Sequence, residues 1–188
     1  MKTVYLTSGP RGAGKSTYVS LVRKISPEIL VIDRDEIYAK EFSGCSFDPY
    51  TGMHIVAAQF FKQHIKEGID SADEDAKIII DAWNGFGTQR KGYIRLLRDL
   101  GVETIVCWYF VTPLSACLEW FMQKPDIRGF SEGSCIWDYN LYHEEASDIN
   151  YPEHKIYLIE KDDFDDSNFD MICRINPLQL TLPGVPLI

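Results

Sequence analysis

Four histidines and five cysteines are present, and neither set is arranged to hold a metal. His54, His64, His143 and His154 show no ligand spacing. Cys45, Cys107, Cys117, Cys135 and Cys173 form no C-x-x-C pair, and their number is odd. A zinc ribbon and a disulfide framework are thereby excluded, and a reducing, cytoplasmic setting is expected. Cys107 and Cys117 sit in apolar patterns and read as buried thiols. No apolar run approaches the length needed to cross a bilayer. Met1-Lys2 runs straight into a strand, so no secretory signal is expected. There is no internal repeat and no low-complexity segment. Positive charge is scarce, with 19 Lys and Arg against 28 Asp and Glu and a formal net charge of −9. The stretch 132–170 concentrates the acid, with Lys155 and Lys161 as its lysines and no arginine. An acidic surface of this kind lacks the long-range field that gathers a long nucleic acid, although a local basic cleft stays compatible with it.

What remains is an ordinary globular balance, 45% hydrophobic and 25% charged over 188 residues, enough for one α/β domain with a sizeable core. Its most specific stretch is residues 4–18. Val4-Tyr5-Leu6 leads into Gly9-Pro10-Arg11-Gly12-Ala13-Gly14-Lys15-Ser16-Thr17, which fits G-x-x-x-x-G-K-[ST]. Glycines permit backbone angles closed to other residues, so the loop can wrap an anion with its N–H groups inward. The helix starting near Lys15 adds its positive end. Gly9, Gly12, Ala13, Gly14, Lys15, Ser16 and Thr17 are therefore the expected cradle of ATP. Lys15 is placed to reach the β- and γ-phosphates, and the Ser16 hydroxyl to hold Mg²⁺.

The rest of the chain alternates strand and helix. Ile29–Ile32 and Ile78–Ile80 read as buried parallel strands, Thr104–Val111 as a fourth strand and Ile156–Ile159 as a fifth. Helices are expected from Lys15 to Ser26, through Ile37 and Tyr38, from Met53 to a stop at Gly68, from a Thr88 cap to Gly101, from Thr112-Pro113 onward, and over Ser134–Ala146. The expected fold is α/β, a P-loop NTPase three-layer sandwich with a five-stranded parallel sheet and helices on both faces. One domain is expected over 1–175, followed by an extended tail over 176–188.

Ligands of such sheets sit at the carboxyl ends of the strands. Asp33, Arg34 and Asp35 follow the second strand, and Asp81 and Asn84 the third. Phosphoryl transfer to an alcohol needs a carboxylate that takes the hydroxyl proton, and Asp35 is the candidate. The plainer alternative is that one of Asp33 and Asp35 caps the next helix. The D-x-D nucleophile of haloacid-dehalogenase phosphatases is set aside, because the P-loop already defines the first strand. Asp81, after Ile78-Ile79-Ile80, is a candidate for Mg²⁺ through water or for the acceptor, against a polar strand end. Arg128, between two helices, is a candidate lid arginine, against a solvated loop residue. Arg90 is a candidate for an acceptor phosphate, against a helix-surface arginine. Trp83, Phe86, Trp108, Trp120 and Trp137 read mostly as core, with Trp83 and Phe86 beside the cleft.

With the P-loop, Asp33-Arg34-Asp35, Asp81-Ala82-Trp83-Asn84 and Lys124-Pro125-Asp126-Ile127-Arg128-Gly129 in this order, residues 3–146 resemble the kinase domain of phage polynucleotide 5′-hydroxyl kinases. The resemblance implies a kinase using ATP and Mg²⁺, with Asp35 as general base, Lys15 and Ser16 on the triphosphate and Arg128 in the lid. Two positions depart from that family. Tyr38 stands where it has an arginine for the acceptor's 3′-phosphate, and Lys124 stands for the first of two lid arginines. The expected acceptor is a polynucleotide 5′-hydroxyl or a nucleoside-like group. A small-metabolite alcohol is the alternative, as is a nucleotide-binding partner protein without acceptor chemistry.

Overall fold

The computed structural model describes residues 1–43, 52–84, 87–124, 130–147 and 169–179. In chain order the elements are β1 (Thr3–Ser8), α1 (Lys15–Ile25), β2 (Leu30–Asp33), α2 (Arg34–Glu41), α3 (Met53–Ser71), β3 (Lys77–Asp81), α4 (Gly87–Asp99), β4 (Thr104–Phe110), α5 (Leu114–Met122), α6 (Glu132–Ser147) and β5 (Met171–Ile175), with a 3₁₀ turn at Pro177–Gln179. The strands form one five-stranded sheet in the order β2-β3-β1-β4-β5. Every pairing is parallel. β1 is central, so the loop at its carboxyl end opens between its two neighbours.

Side chains alternate across a strand, and here both faces are apolar. Val4, Leu6, Ile78, Ile80, Ile105 and Cys107 face one layer, where Phe61, Ile65 and Ile69 of α3 and Tyr93, Ile94 and Leu97 of α4 meet them. Tyr5, Ile79, Val106, Trp108 and Phe110 face the other, against Tyr18, Val19 and Val22 of α1 and Cys117 and Phe121 of α5. α6 contributes to both layers, Tyr142 to the first and Cys135 to the second. The three-layer α/β sandwich read from the sequence is therefore the observed architecture.

Several boundaries differ. α3 passes through Gly68 and ends at Ser71. Gly68 is a contact residue, because an added Cβ would stand 2.7 Å from Ile32 Cδ1. α3 buries Ala57, Phe61, Ile65 and Ile69 at fourfold spacing, whereas Val56 is exposed. Thr88 lies inside α4 rather than capping it. Gly101 does end that helix, in the left-handed conformation with φ 74. β2 is an edge strand with Leu30 exposed, so its apolar run is buried only in part. The strand beside β4 is Met171–Ile175, and the stretch 156–159 lies outside the described residues. The first residues of the expected tail form the 3₁₀ turn. Trp137 is exposed at 57%, not core. Among the described residues no helix is long and apolar enough to cross a membrane.

Phe61 is fully buried at the centre of the α3–α4 layer, edge-on to Tyr93 at 6.0 Å and to Tyr38 at 6.3 Å. Phe61→Ala should cost about 3–5 kcal/mol, the usual range for an emptied aromatic site. Urea unfolding followed by circular dichroism should show a lower midpoint at an unchanged slope. A loss below about 1 kcal/mol would mean that this layer is not packed as described.

Candidate functional site

The loop between β1 and α1 is shaped by two left-handed glycines, Gly12 at φ 78 and Gly14 at φ 86. Gly12 is also pressed against α5, where an added Cβ would lie 2.2 Å from the Cys117 carbonyl oxygen. At Gly9 an added Cβ would stand 2.9 Å from Phe110 Cβ. From the end of β4, buried Thr112 donates its hydroxyl to the Ala13 carbonyl at 2.7 Å. Thr112 thus braces the loop and does not cap α5, which has Pro113 at its N-cap and no side-chain cap bond. Ala13 is fully buried, while Ser16 and Thr17 are exposed at the start of α1. The Lys15 ammonium donates to the carbonyls of Gly9 and Pro10, both at 2.9 Å.

Beside the loop stands a buried polar knot. Thr7 on β1 donates to Asp81 Oδ1 on β3 at 2.8 Å and accepts from the Ala82 amide at 3.1 Å. Asn84 donates to the Thr7 carbonyl at 2.6 Å, from a left-handed backbone at φ 49 that asparagine tolerates better than most residues. Asp81 Oδ2 and Asn84 Oδ1 are buried with no hydrogen-bond donor among the described residues. Arg90 of α4 donates to the Asn84 carbonyl at 3.0 Å. At 7% exposure it is an interior arginine rather than a helix-surface one.

After β2 the two aspartates separate in role. Asp33 is the cap of α2, its Oδ1 accepting from the amides of Asp35 at 2.7 Å and Glu36 at 3.0 Å. Asp35 is left with its side chain 58% exposed and paired to Arg34 at 3.2 Å. Tyr38 is half-buried, with the Arg34 guanidinium 5.8 Å from its ring centroid. On the other side of the loop a cavity of about 700 Å³ is lined by Gly12 to Tyr18, Trp120, Gln123, Lys124 and Pro177, among others. Trp120 and Pro177 were not among the site residues read from the sequence. Trp120 sits in an apolar helical pattern that looks like core, and Pro177 belongs to a stretch remote in the chain. Lys124 is at the rim and exposed. Arg128 and Phe86 lie outside the described residues. Among the described residues no cluster of His, Cys, Asp and Glu is suited to hold a metal by itself.

A family model described as an AAA domain matches residues 4–133, well over half of the chain. The chain belongs to the AAA domain family. No curated protein matches the sequence. Among solved structures, the Deinococcus radiodurans tunicamycin resistance protein is similar at a TM-score of 0.52 and 17% identity, over 75% of this chain and 80% of that chain. At that identity the likeness concerns the fold.

In this AAA domain the Lys15 ammonium sits among charges of both signs. Burial lowers the Lys15 ammonium from its ordinary 10.5 to about 8, and the Asp81 carboxylate is the main opposing influence. The cations of Lys124 and Arg34 push it further down, and Asp35 opposes them. Asp33 is raised from 3.8 to about 6, chiefly by burial, against its backbone hydrogen bond from Glu36. The charges of Asp81 and Asp35 add to that rise.

Lys15 gives a pH test of this geometry. Below about 8 the ammonium is charged in the folded and unfolded chain alike, and folding bears the full cost of enclosing it. From about 8 to 10.5 the folded protein sheds a proton that the unfolded chain keeps, so stability rises with pH across that window. Urea midpoints measured across it for the wild type and Lys15→Met should diverge, with the rise weaker in the variant. Parallel profiles would show that Lys15 is not enclosed as described.

Proposed function

We propose that the protein is an ATP-dependent kinase that transfers the γ-phosphoryl group to a hydroxyl, most naturally a polynucleotide 5′-hydroxyl or a nucleoside-like acceptor. The observation that carries this reading is the division of labour after β2. Asp33 is consumed as the cap of α2, and Asp35 is left exposed in the same turn, across the strand ends from Lys15. The acceptor hydroxyl gives its proton to Asp35, its oxygen bonds to the γ-phosphorus, and the bond from that phosphorus to the β-γ bridging oxygen breaks, releasing ADP. Lys15 exchanges its two carbonyl partners for phosphate oxygens. The site suits Mg²⁺, with exposed Ser16 in the first turn of α1 and the donor-less Asp81 Oδ2 within the polar knot. The ion would neutralise charge on the β- and γ-phosphates. Trp120 and Pro177 supply an apolar wall for the nucleoside. Thr7 and Arg90 act by positioning, the first on Asp81 and the second on the Asn84 turn. Residues 1–175 form the kinase domain in this reading.

A small-metabolite alcohol is the second reading, and Tyr38 favours it. Its ring packs against Phe42 at 5.9 Å and Phe61 at 6.3 Å, in the place where the polynucleotide kinases carry an anion-binding arginine. Arg34, paired with Asp35 and near the Tyr38 ring, is then a cation on the acceptor side. Labelled ATP offered to oligonucleotides with free 5′-hydroxyls and, separately, to a metabolite panel decides between the two. Labelling of neither class, with a stable protein complex in its place, would favour a nucleotide-binding partner protein.

Asp35→Ala should lower turnover about 10²- to 10⁴-fold while ATP affinity changes little. Turnover that survives the substitution removes Asp35 as the base. Arg128 is assigned to the transition state by the resemblance, so Arg128→Ala should reduce kcat by up to about 10³-fold at saturating ATP. Lys124, a point charge without a planar fork, should matter less. If Lys124→Ala proves the more damaging of the two, the assignment of the lid is wrong.

A further inference from the structure

Trp120 and Pro177 meet the phosphate loop at one residue. A Cβ added at Gly14 would stand 3.1 Å from Trp120 Cζ3 and 3.3 Å from Pro177 Cγ. Gly14 is the N-cap of α1, so the indole and the proline ring stand where that helix begins. From there the cavity of about 700 Å³ follows α1 past Tyr18 and Leu21 as far as Lys24. Trp120 is half-buried and lines it. Its helix is fixed to the loop at two points. The Cys117 carbonyl lies against Gly12, and the Phe121 ring centroid lies 5.9 Å from the Arg11 guanidinium carbon. Arg11 in turn donates from Nε to Asp138 of α6 at 2.7 Å. A large flat ring therefore lines the cavity from a braced helix, a stacking surface that needs no ordering when a ligand arrives.

A base edge is read by donors and acceptors held at defined places, and a cavity with few of them discriminates poorly. The polar side chains Thr17, Ser20, Lys24, Gln123 and Lys124 along this one are all exposed. The Gln123 amide is turned to Glu119 Oε1 at 3.4 Å, and an exposed amide can offer either end. Pro177 has no amide hydrogen, and the next amide, of Leu178, is spent on Asn176 Oδ1 at 3.2 Å. What the cavity holds in place is apolar area, from Trp120, Leu21 and Pro177. Stacking on such a surface grows with the area of the base and is indifferent to its edge.

We propose that this cavity selects the donor nucleotide by the size of its base, taking purines over pyrimidines through stacking on Trp120, and that it does not tell adenine from guanine. ATP and GTP are then equivalent donors, and Trp120 is the residue that determines the preference. The proposal rests on the reading of the loop as a triphosphate site and of the cavity beside it as the nucleoside site.

Calorimetric titration of the full chain with ATP, GTP, CTP and UTP, each with Mg²⁺, tests it without any knowledge of the acceptor. ATP and GTP should bind within about threefold of each other, and CTP and UTP about tenfold more weakly. Trp120→Ala should weaken the purine nucleotides about ten- to a hundredfold, the pyrimidine ones less, and so bring all of them to a similar affinity. Trp120→Phe should keep part of the purine advantage, and it carries the same comparison if the alanine variant does not fold. Inorganic tripolyphosphate has no base and should bind the wild type and both variants alike. A preference between ATP and GTP beyond about thirtyfold would mean that the base edge is read, and would overturn the proposal. So would a purine advantage that is missing from the wild type or survives in Trp120→Ala. Tripolyphosphate binding lost in the variants along with the nucleotides would also overturn it, and make Trp120 a prop of the loop. A wild-type protein that binds tripolyphosphate as tightly as the nucleotides would overturn the proposal alone. One that binds none of these ligands would overturn the triphosphate reading itself, and the proposal with it.

Discussion

The top of this sheet depends on one close approach. Gly12 lies against the carbonyl of Cys117 with no room for a Cβ, and the neighbouring Ala13 carbonyl is held by the Thr112 hydroxyl. The first contact needs a residue without a side chain, and the second needs a donor at the end of β4. Together they make the β4–α5 junction the floor of the phosphate loop. The Lys15 ammonium can then lie against its own loop carbonyls, and the helix that begins at Lys15 lines the cavity. A loop defined by backbone contacts is pre-organised, so its amides do not have to be ordered when an anion arrives.

Around that floor the charges follow one arrangement. The chain carries a net charge of −9, yet Lys15, Arg34, Lys124 and Arg11 converge on the loop. Four carboxylates stand among them, each with a different task. Asp81 is anchored by Thr7, Asp138 by Arg11, and Asp33 is spent on the amides of α2. Asp35 alone of these carboxylates keeps an exposed side chain, beside Arg34. Burial separates carboxylates that look alike along the chain.

Much of the fold was legible because its signals are local. Ile78-Ile79-Ile80 reads as a strand covered on both sides, and it is one, because no polar residue interrupts it. Gly101 ends α4 as its position after the last apolar residue suggests. The misreadings come from residues whose role depends on a partner far away in the chain. Gly68 looks like a helix stop and is a packing notch for Ile32. Thr112 looks like a cap and is a brace for Ala13. Arg90 looks like a surface charge and is an interior donor to the Asn84 turn. β5 was missed although Met171, Ile172, Cys173 and Ile175 are apolar, because it is a five-residue strand directly behind an acidic stretch and pairs with β4 alone among the described strands.

The phosphate loop, the alternation of strand and helix, and the carboxylates at the ends of the second and third strands follow from the order of residues alone. Those features rest on short-range rules, namely which residues accept positive φ and how apolar side chains recur along a strand or helix. Tertiary structure decided the strand order, which of Asp33 and Asp35 is spent as a cap, the packing of Trp120 and Pro177 over one cavity, and the pairing of Arg11 with Asp138. Arg11 and Asp138 are 127 residues apart, and Thr112 and Ala13 are 99 apart. Contacts of that separation leave no periodicity in the chain, because they exist only once the sheet has set its neighbours side by side.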